Sequence, residues 1–222
     1  MKNMPESSID LILCDLPYGV TEAKWDSLIN FNDLWEQYHR IIKENGAIVL
    51  FAIQPFTTKL IHSNIKHFRY CWYWKKNNPT GGAFSKLQPM RCIEDICVFY
   101  KHKPQYNPQG LVKLDKPKIN RPNKQTDIYV WRGKESIQKY TNYPKNLLEF
   151  KGVSLGRLHP TQKPVELLEY LVKTYTNEGD TVLDNCMGSG STGEACINTN
   201  RKFIGIELDE NYFNLAKKRL SA

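Results

Sequence analysis

The 222-residue chain has no apolar run long enough to span a membrane and no N-terminal stretch of signal-peptide form. Secreted and membrane-inserted classes drop out, and the expected compartment is the cytoplasm. The six cysteines include no C-x-x-C pair. Cys92 and Cys97 are the closest two, and without a second pair nearby they make no zinc site. They read as reduced small hydrophobes, with no metal expected. No internal repeat or low-complexity tract is evident, and the length suits one well-buried core rather than two ordinary domains. Acidic residues are scarce in one block: residues 101–158 hold 13 Lys and Arg against four acids, a surplus of nine in a chain whose net charge is +8. The rest of the chain is therefore close to neutral.

Apolar runs and helical periods alternate along most of the chain. Strands are expected at Ile9–Cys14, Ala47–Ile53, Phe68–Trp74 and Asp95–Tyr100. A helix over Phe31–Lys43 carries Leu34, Tyr38, Ile41 and Ile42 on one face, with Gly46 as its stop, and Pro55 opens a second helix through Ile65. After the basic block, Pro164 is placed as the first residue of a helix bearing Leu167, Leu168, Leu171 and Val172. A strand at Thr181–Asp184, a helix at Thr192–Asn198, a strand at Phe203–Glu207 and a final helix with Tyr212, Leu215, Ala216 and Leu220 complete a βαβ unit. This alternation predicts an α/β fold with a mostly parallel sheet covered on both faces. The block at 101–158 lacks a sustained apolar period and reads as an irregular insert. Tyr106, Tyr129, Trp131, Tyr140 and Tyr143 are interleaved with its cations, a pattern suited to a surface that meets phosphates and bases together.

Two places carry chemistry. Asp15-Leu16-Pro17-Tyr18-Gly19 follows the first strand directly. A strand ending in an acid, a restricted backbone carbonyl and an aromatic ring offers the groups that grip a flat heterocycle with an exocyclic amine: two acceptors for its N–H groups and a stacking face. An ordinary turn uses the same residue types. The second place is Asp184-Asn185-Cys186-Met187-Gly188-Ser189-Gly190-Ser191-Thr192-Gly193, where Gly188, Gly190 and Gly193 satisfy G-x-G-x-x-G and Glu207 ends the following strand. That spacing alone fits any nucleotide. Asp184 just before the turn suits a cationic amino-acid moiety better than a pyrophosphate, and His159-Pro160-Thr161-Gln162-Lys163-Pro164 supplies donors for a carboxylate.

Taken in order, these segments resemble the β class of DNA amino-methyltransferases, in which the catalytic motif precedes the target-recognition region and the cofactor motifs come last. The resemblance runs from about Ser8 to Leu220 and takes in Trp74-Lys75 and Glu94-Asp95-Ile96-Cys97-Val98-Phe99-Tyr100-Lys101, leaving 101–158 without a counterpart. It implies a Rossmann-like methyltransferase fold with circularly permuted motif order and S-adenosylmethionine as cofactor. It implies that Asp15 and the Leu16 carbonyl hold the target amine, with Pro17 restricting Leu16 and Tyr18 stacking on a flipped base. Asp184, Cys186, Gly188, Ser189, Gly190 and Thr192 would line the cofactor's methionine end, Thr161 and Lys163 would sit near its carboxylate, and Glu207 would take the ribose. His159 reads first as a structural residue.

The partner implied is double-stranded DNA, met by Lys116, Lys118, Arg121 and Lys124 at phosphates and by Tyr129, Trp131 and Arg132 at bases. Asp rather than Ser at the first motif position leans toward adenine N6 over cytosine N4. The resemblance also admits a homodimer and a restriction endonuclease partner, with orphan and phage settings open.

Three departures stand against it. Leu16 replaces a usual proline, Cys186 replaces a usual Phe, and only Met1–Glu6 precede the region of resemblance, where family members often carry a further strand with an acid near the adenine. Either the native chain begins upstream of Met1 or the sheet has an unusual edge there. An NAD-dependent oxidoreductase built on the same glycine turn, and a catalytically silent DNA-binding remnant, are the readings from other classes.

Overall fold

A computed structural model describes residues 1–19, 27–121, 135–153, 156, 158–159 and 161–221. Two compact units emerge: Met1–Asn107 with Asn146–Ala222, and Pro108–Lys145. The elements of the first, in chain order, are β1 (Ile9–Asp15), α1 (Phe31–Ile41), β2 (Ile42–Ala52), α2 (Phe56–Ser63), β3 (Phe68–Thr80) and β4 (Arg91–Phe99). The second unit contributes β5 (Val112–Asn120) and β6 (Ser136–Thr141). The first unit resumes with β7 (Leu147–Glu149), α3 (Val165–Tyr175), β8 (Thr181–Asp184), α4 (Ser191–Asn198), β9 (Lys202–Gly205) and α5 (Glu210–Leu220). No helix among the described residues is long and apolar enough to cross a membrane.

The first unit is a seven-stranded sheet in the order β7-β3-β4-β2-β1-β8-β9. Four of its strand pairs, β1–β2, β1–β8, β8–β9 and β3–β7, run parallel, while β2–β4 and β3–β4 are antiparallel. The expected α/β fold with a mostly parallel sheet is the one observed. Alternation along the central strands feeds two cores. Leu11, Leu13, Val49, Phe51, Ile96 and Val98 pack against Leu167, Leu168, Leu171 and Val172 of α3 and Ala195 and Cys196 of α4. Ile12, Cys14, Ile48, Leu50, Cys97 and Phe99 pack against Leu34, Trp35, Tyr38 and Ile41 of α1 and Phe56 and Leu60 of α2. Strands buried on both faces appear in sequence as near-continuous apolar runs, as Ile9–Cys14 does. Each such Leu or Ile contributes about 1.5–3 kcal/mol by leaving water.

Several expected boundaries move. The first helix ends at Ile41, since Ile42 is already extended (φ −71°, ψ 137°) and begins β2. Gly46 is not a helix stop. It lies in an irregular stretch of β2 where the register with β1 jumps from Ile9↔Ile42 to Leu11↔Ala47, and a Cβ there would come within 2.9 Å of the Asp10 carbonyl oxygen. Pro164 caps α3 rather than opening it, β3 and β4 extend well past Trp74 and Asp95 toward a shared turn, and β9 stops two residues short of Glu207.

The basic block is divided. Residues on both sides of 108–145 belong to the sheet unit: the Asn107 N–H donates to the Thr174 carbonyl (2.7 Å), and β7 pairs with β3. The described part of 108–145 is an antiparallel β5–β6 pair rather than irregular chain, with Ile119 opposite Ile137. Its strands are polar because almost every side chain faces solvent, which is why apolar periodicity gave no sign of them.

Candidate active site

β1 lies between β2 and β8 and runs parallel to both; the chain passes from β1 through α1 to β2 on one side, and from β8 through α4 to β9 on the other. At such a switch point the connections diverge and a crevice opens beyond the carboxyl ends of the strands. Asp15 ends β1 and Asp184 ends β8, which places both chemistry-bearing segments at that crevice. A cavity of about 920 Å³ is lined there by Asp15, Leu16, Pro17, Tyr18, Thr161, Lys163, Asp184, Cys186, Gly188, Ser189, Thr192 and Glu207, residues drawn from both ends of the sequence. Gly190 is not on its wall. It caps α4 with φ +79°, and a Cβ there would press on Ala216 at 3.1 Å, so its part is to let α5 approach.

Both carboxylate oxygens of Asp15 are engaged. The Tyr18 hydroxyl donates to Oδ1 (2.5 Å) and Lys163 Nζ donates to Oδ2 (2.5 Å). The structure thus sets the Lys163 ammonium on Asp15, and it also pairs with Glu94 at 3.6 Å. Burial opposes charge on Lys163, but Asp15 and Glu94 outweigh it, and the pKa is raised. Burial likewise opposes ionisation of Glu94, and Lys163 and Lys76 prevail to lower its pKa. Tyr18 is held above the ordinary phenol range by burial and then by Asp15 and Glu94; its ring lies 5.0 Å from that of Phe56. These groups form a charged cluster, Lys76–Glu94–Lys163–Asp15, on the cavity wall.

At the other end, Asp184 Oδ1 accepts from the Cys186 N–H (3.1 Å) and Oδ2 from the Thr192 hydroxyl (2.7 Å). Burial still pushes its pKa up to about 6. Glu207 Oε2 accepts from the Gly188 N–H (2.8 Å) and Oε1 from the Leu208 and Asp209 N–H groups (2.9 Å each), which fixes the acid across the turn. Gly188 has φ +51°, and its missing Cβ would sit 3.5 Å from the His159 ring. His159 packs edge-on against Tyr212 (4.3 Å), and its Nδ1 accepts from the Thr161 N–H (3.3 Å). A buried acid for a cation, a second acid for hydroxyls and a glycine turn open to a ligand fit S-adenosylmethionine.

A DNA methylase family model matches residues 9–218. The chain belongs to that family. Among its relatives, the type II methyltransferase M2.DpnII of Streptococcus pneumoniae is 48% identical over 100% of this chain and 86% of its own length. The type II methyltransferase M.HpaI of Haemophilus parainfluenzae is 30% identical over 100% and 71%, and the DNA adenine methyltransferase YhdJ of Escherichia coli (strain K12) is 30% identical over 99% and 79%. The methylase is also similar to a solved complex of M1.HpyAVI with SAM, at TM-score 0.65 and 27% identity over 99% of this chain and 91% of that one.

Glu94 and Lys76 line the methylase's cavity without having been singled out from the sequence. The available signal was an acid in β4 ahead of the apolar run Ile96–Phe99, opposite a strand carrying Trp74-Lys75-Lys76. Of the residues expected to meet DNA, Lys116, Lys118 and Arg121 are exposed on or beside β5, whereas Lys124, Tyr129, Trp131 and Arg132 lie outside the described residues.

Proposed function

We propose that this methylase transfers a methyl group from S-adenosylmethionine to the exocyclic N6 of adenine at specific sites in double-stranded DNA. The observation that carries the reading is the meeting of Asp15 and Asp184 at the ends of adjacent parallel strands on one cavity. Bound against Asp184, Gly188 and Glu207, S-adenosylmethionine supplies an already activated methyl group. The protein's own work is alignment. Asp15 accepts one N–H of the amine and the Leu16 carbonyl the other, which turns the nitrogen lone pair toward the methyl donor, and Tyr18 stacks on the base. For this the Tyr18 hydroxyl gives up its bond to Asp15 as the base enters. The adenine relative YhdJ and Asp at the first motif position support N6 over cytosine N4.

Target choice falls to the insert at 101–158, chiefly the unit at 108–145, where Lys116, Lys118, Arg121 and Lys124 neutralise phosphates and Tyr129, Trp131 and Arg132 read bases. The type II relatives support a cytoplasmic role beside a restriction endonuclease of matching specificity. Nucleoside mass spectrometry of DNA from cells expressing the chain tests the reaction. N6-methyladenine is expected, absent with Asp15→Ala, and N4-methylcytosine alone overturns the base assignment.

A further inference from the structure

Lys163 and Asp15 stand 148 residues apart in sequence yet present an N–H donor and a carboxylate acceptor side by side on the cavity wall. Glu94 lies beside Lys163 on the same wall. Its Oε1 accepts from Lys76 (3.0 Å), while Oε2, shielded from solvent and without a hydrogen-bond partner among the described residues, is 3.6 Å from Lys163 Nζ. A buried carboxylate oxygen lacking a hydrogen bond is costly, and this one is aimed at the ammonium it holds in place. An ammonium has three donors. Asp15 takes one and Glu94 faces a second, which leaves one for a ligand.

A base whose Watson–Crick edge carries an amine beside an unprotonated ring nitrogen offers the complement, a donor next to an acceptor. We propose that Lys163, positioned by Glu94, donates to the ring nitrogen beside the target amine while Asp15 accepts from the amine itself. The pair then reads the edge that adenine and cytosine share. Guanine and thymine present a carbonyl oxygen and an N–H in those two places, setting acceptor against acceptor and donor against donor. Lys163 is the specificity-determining residue and Glu94 a positioning residue. The inference rests on the base-methylating function above and adds to it how adenine and cytosine are told from guanine and thymine.

The test uses duplexes with adenine, 1-deazaadenine or 7-deazaadenine at a mapped methylation site. The first analogue keeps the amine and replaces only the ring nitrogen beside it. For the wild-type protein, kcat/KM should fall roughly tenfold to hundredfold with 1-deazaadenine, the scale of losing a hydrogen bond to a charged group, and change little with 7-deazaadenine. Lys163→Met should methylate adenine and 1-deazaadenine at similar, reduced rates. Glu94→Gln should narrow the discrimination while calorimetry shows unchanged cofactor affinity. Equal wild-type rates on adenine and 1-deazaadenine overturn the proposal without depending on any variant's folding. A Lys163→Met protein that keeps the discrimination but binds S-adenosylmethionine weakly also overturns it, and moves the ammonium to the cofactor's carboxylate. Failure of the underlying function looks different, since the unmodified duplex would then gain no methyl group.

Discussion

The two units of this protein are built on opposite plans. The sheet unit buries its central strands on both faces and holds its buried charged groups, Lys163 and Asp184 among them, on the cavity at the carboxyl ends of β1 and β8. The described part of 108–145 is a two-stranded sheet with Val112, Ile119, Ile137 and Tyr140 exposed and Lys113, Lys116, Lys118 and Lys139 in solvent. An isolated strand pair is marginally stable in water. On the function proposed, chemistry that depends on alignment is assigned to the unit where neighbours lock each rotamer, and binding to a long charged polymer to the unit whose side chains can adapt.

The largest effect is expected at Asp15. Replacement by Ala should cut methyl transfer roughly a hundredfold to a thousandfold, the scale seen when a transition-state hydrogen-bonding group is removed, while calorimetry shows near-normal cofactor affinity. Loss of folding instead would make Asp15 a structural turn residue.

The next test is in the second unit. Neutralising Lys116, Lys118 and Arg121 together should weaken DNA binding at every sequence and flatten the salt dependence by about 0.9 log units for each phosphate no longer neutralised. Cofactor affinity should not move. An unchanged salt slope would take these cations off the DNA.

A smaller effect is expected from pH. Because burial raises Asp184 to about 6, it is protonated below that value and ionised above it. The cofactor's ammonium favours the ionised form, so affinity should be highest above pH 6 and fall by up to about tenfold per unit as pH drops through it. For the fold alone the sign is opposite. The raised pKa contributes stability below the unfolded value of 3.8 that is lost as pH rises through about 6. Calorimetry on Asp184→Asn should show weaker binding with this pH dependence removed. The smallest change comes from Tyr38→Phe, which deletes the hydroxyl that donates to Asn185 Oδ1 beneath the cofactor turn. About 0.5–1.5 kcal/mol of stability should go, measured by denaturant unfolding, with methyl transfer largely kept.

What the sequence made legible follows the same division. Buried strands flanked by helices announce themselves as apolar runs and 3.6-residue periods, and the motif ends of β1 and β8 could be placed from local pattern alone. The β5–β6 pair could not, because strands exposed on both faces have no apolar alternation and Pro117 argues against one. The cluster of Asp15, Lys163 and Glu94 was illegible for another reason. It is assembled by sheet order, and no local spacing relates β1, β4 and the segment before α3. Gly46 misled because a glycine after a helical period signals a stop, whereas here it serves close backbone approach in β2.

On the function proposed, the sheet unit performs the reaction and the unit at 108–145 selects the site. Replacing residues 108–145 with a short Gly-Ser linker leaves Asn107 and β7 in place, and methylation sites can then be mapped across a genome treated with the variant. Near-normal S-adenosylmethionine affinity together with loss of site-specific methylation is expected. A variant that modifies the same sites at the wild-type rate would contradict it.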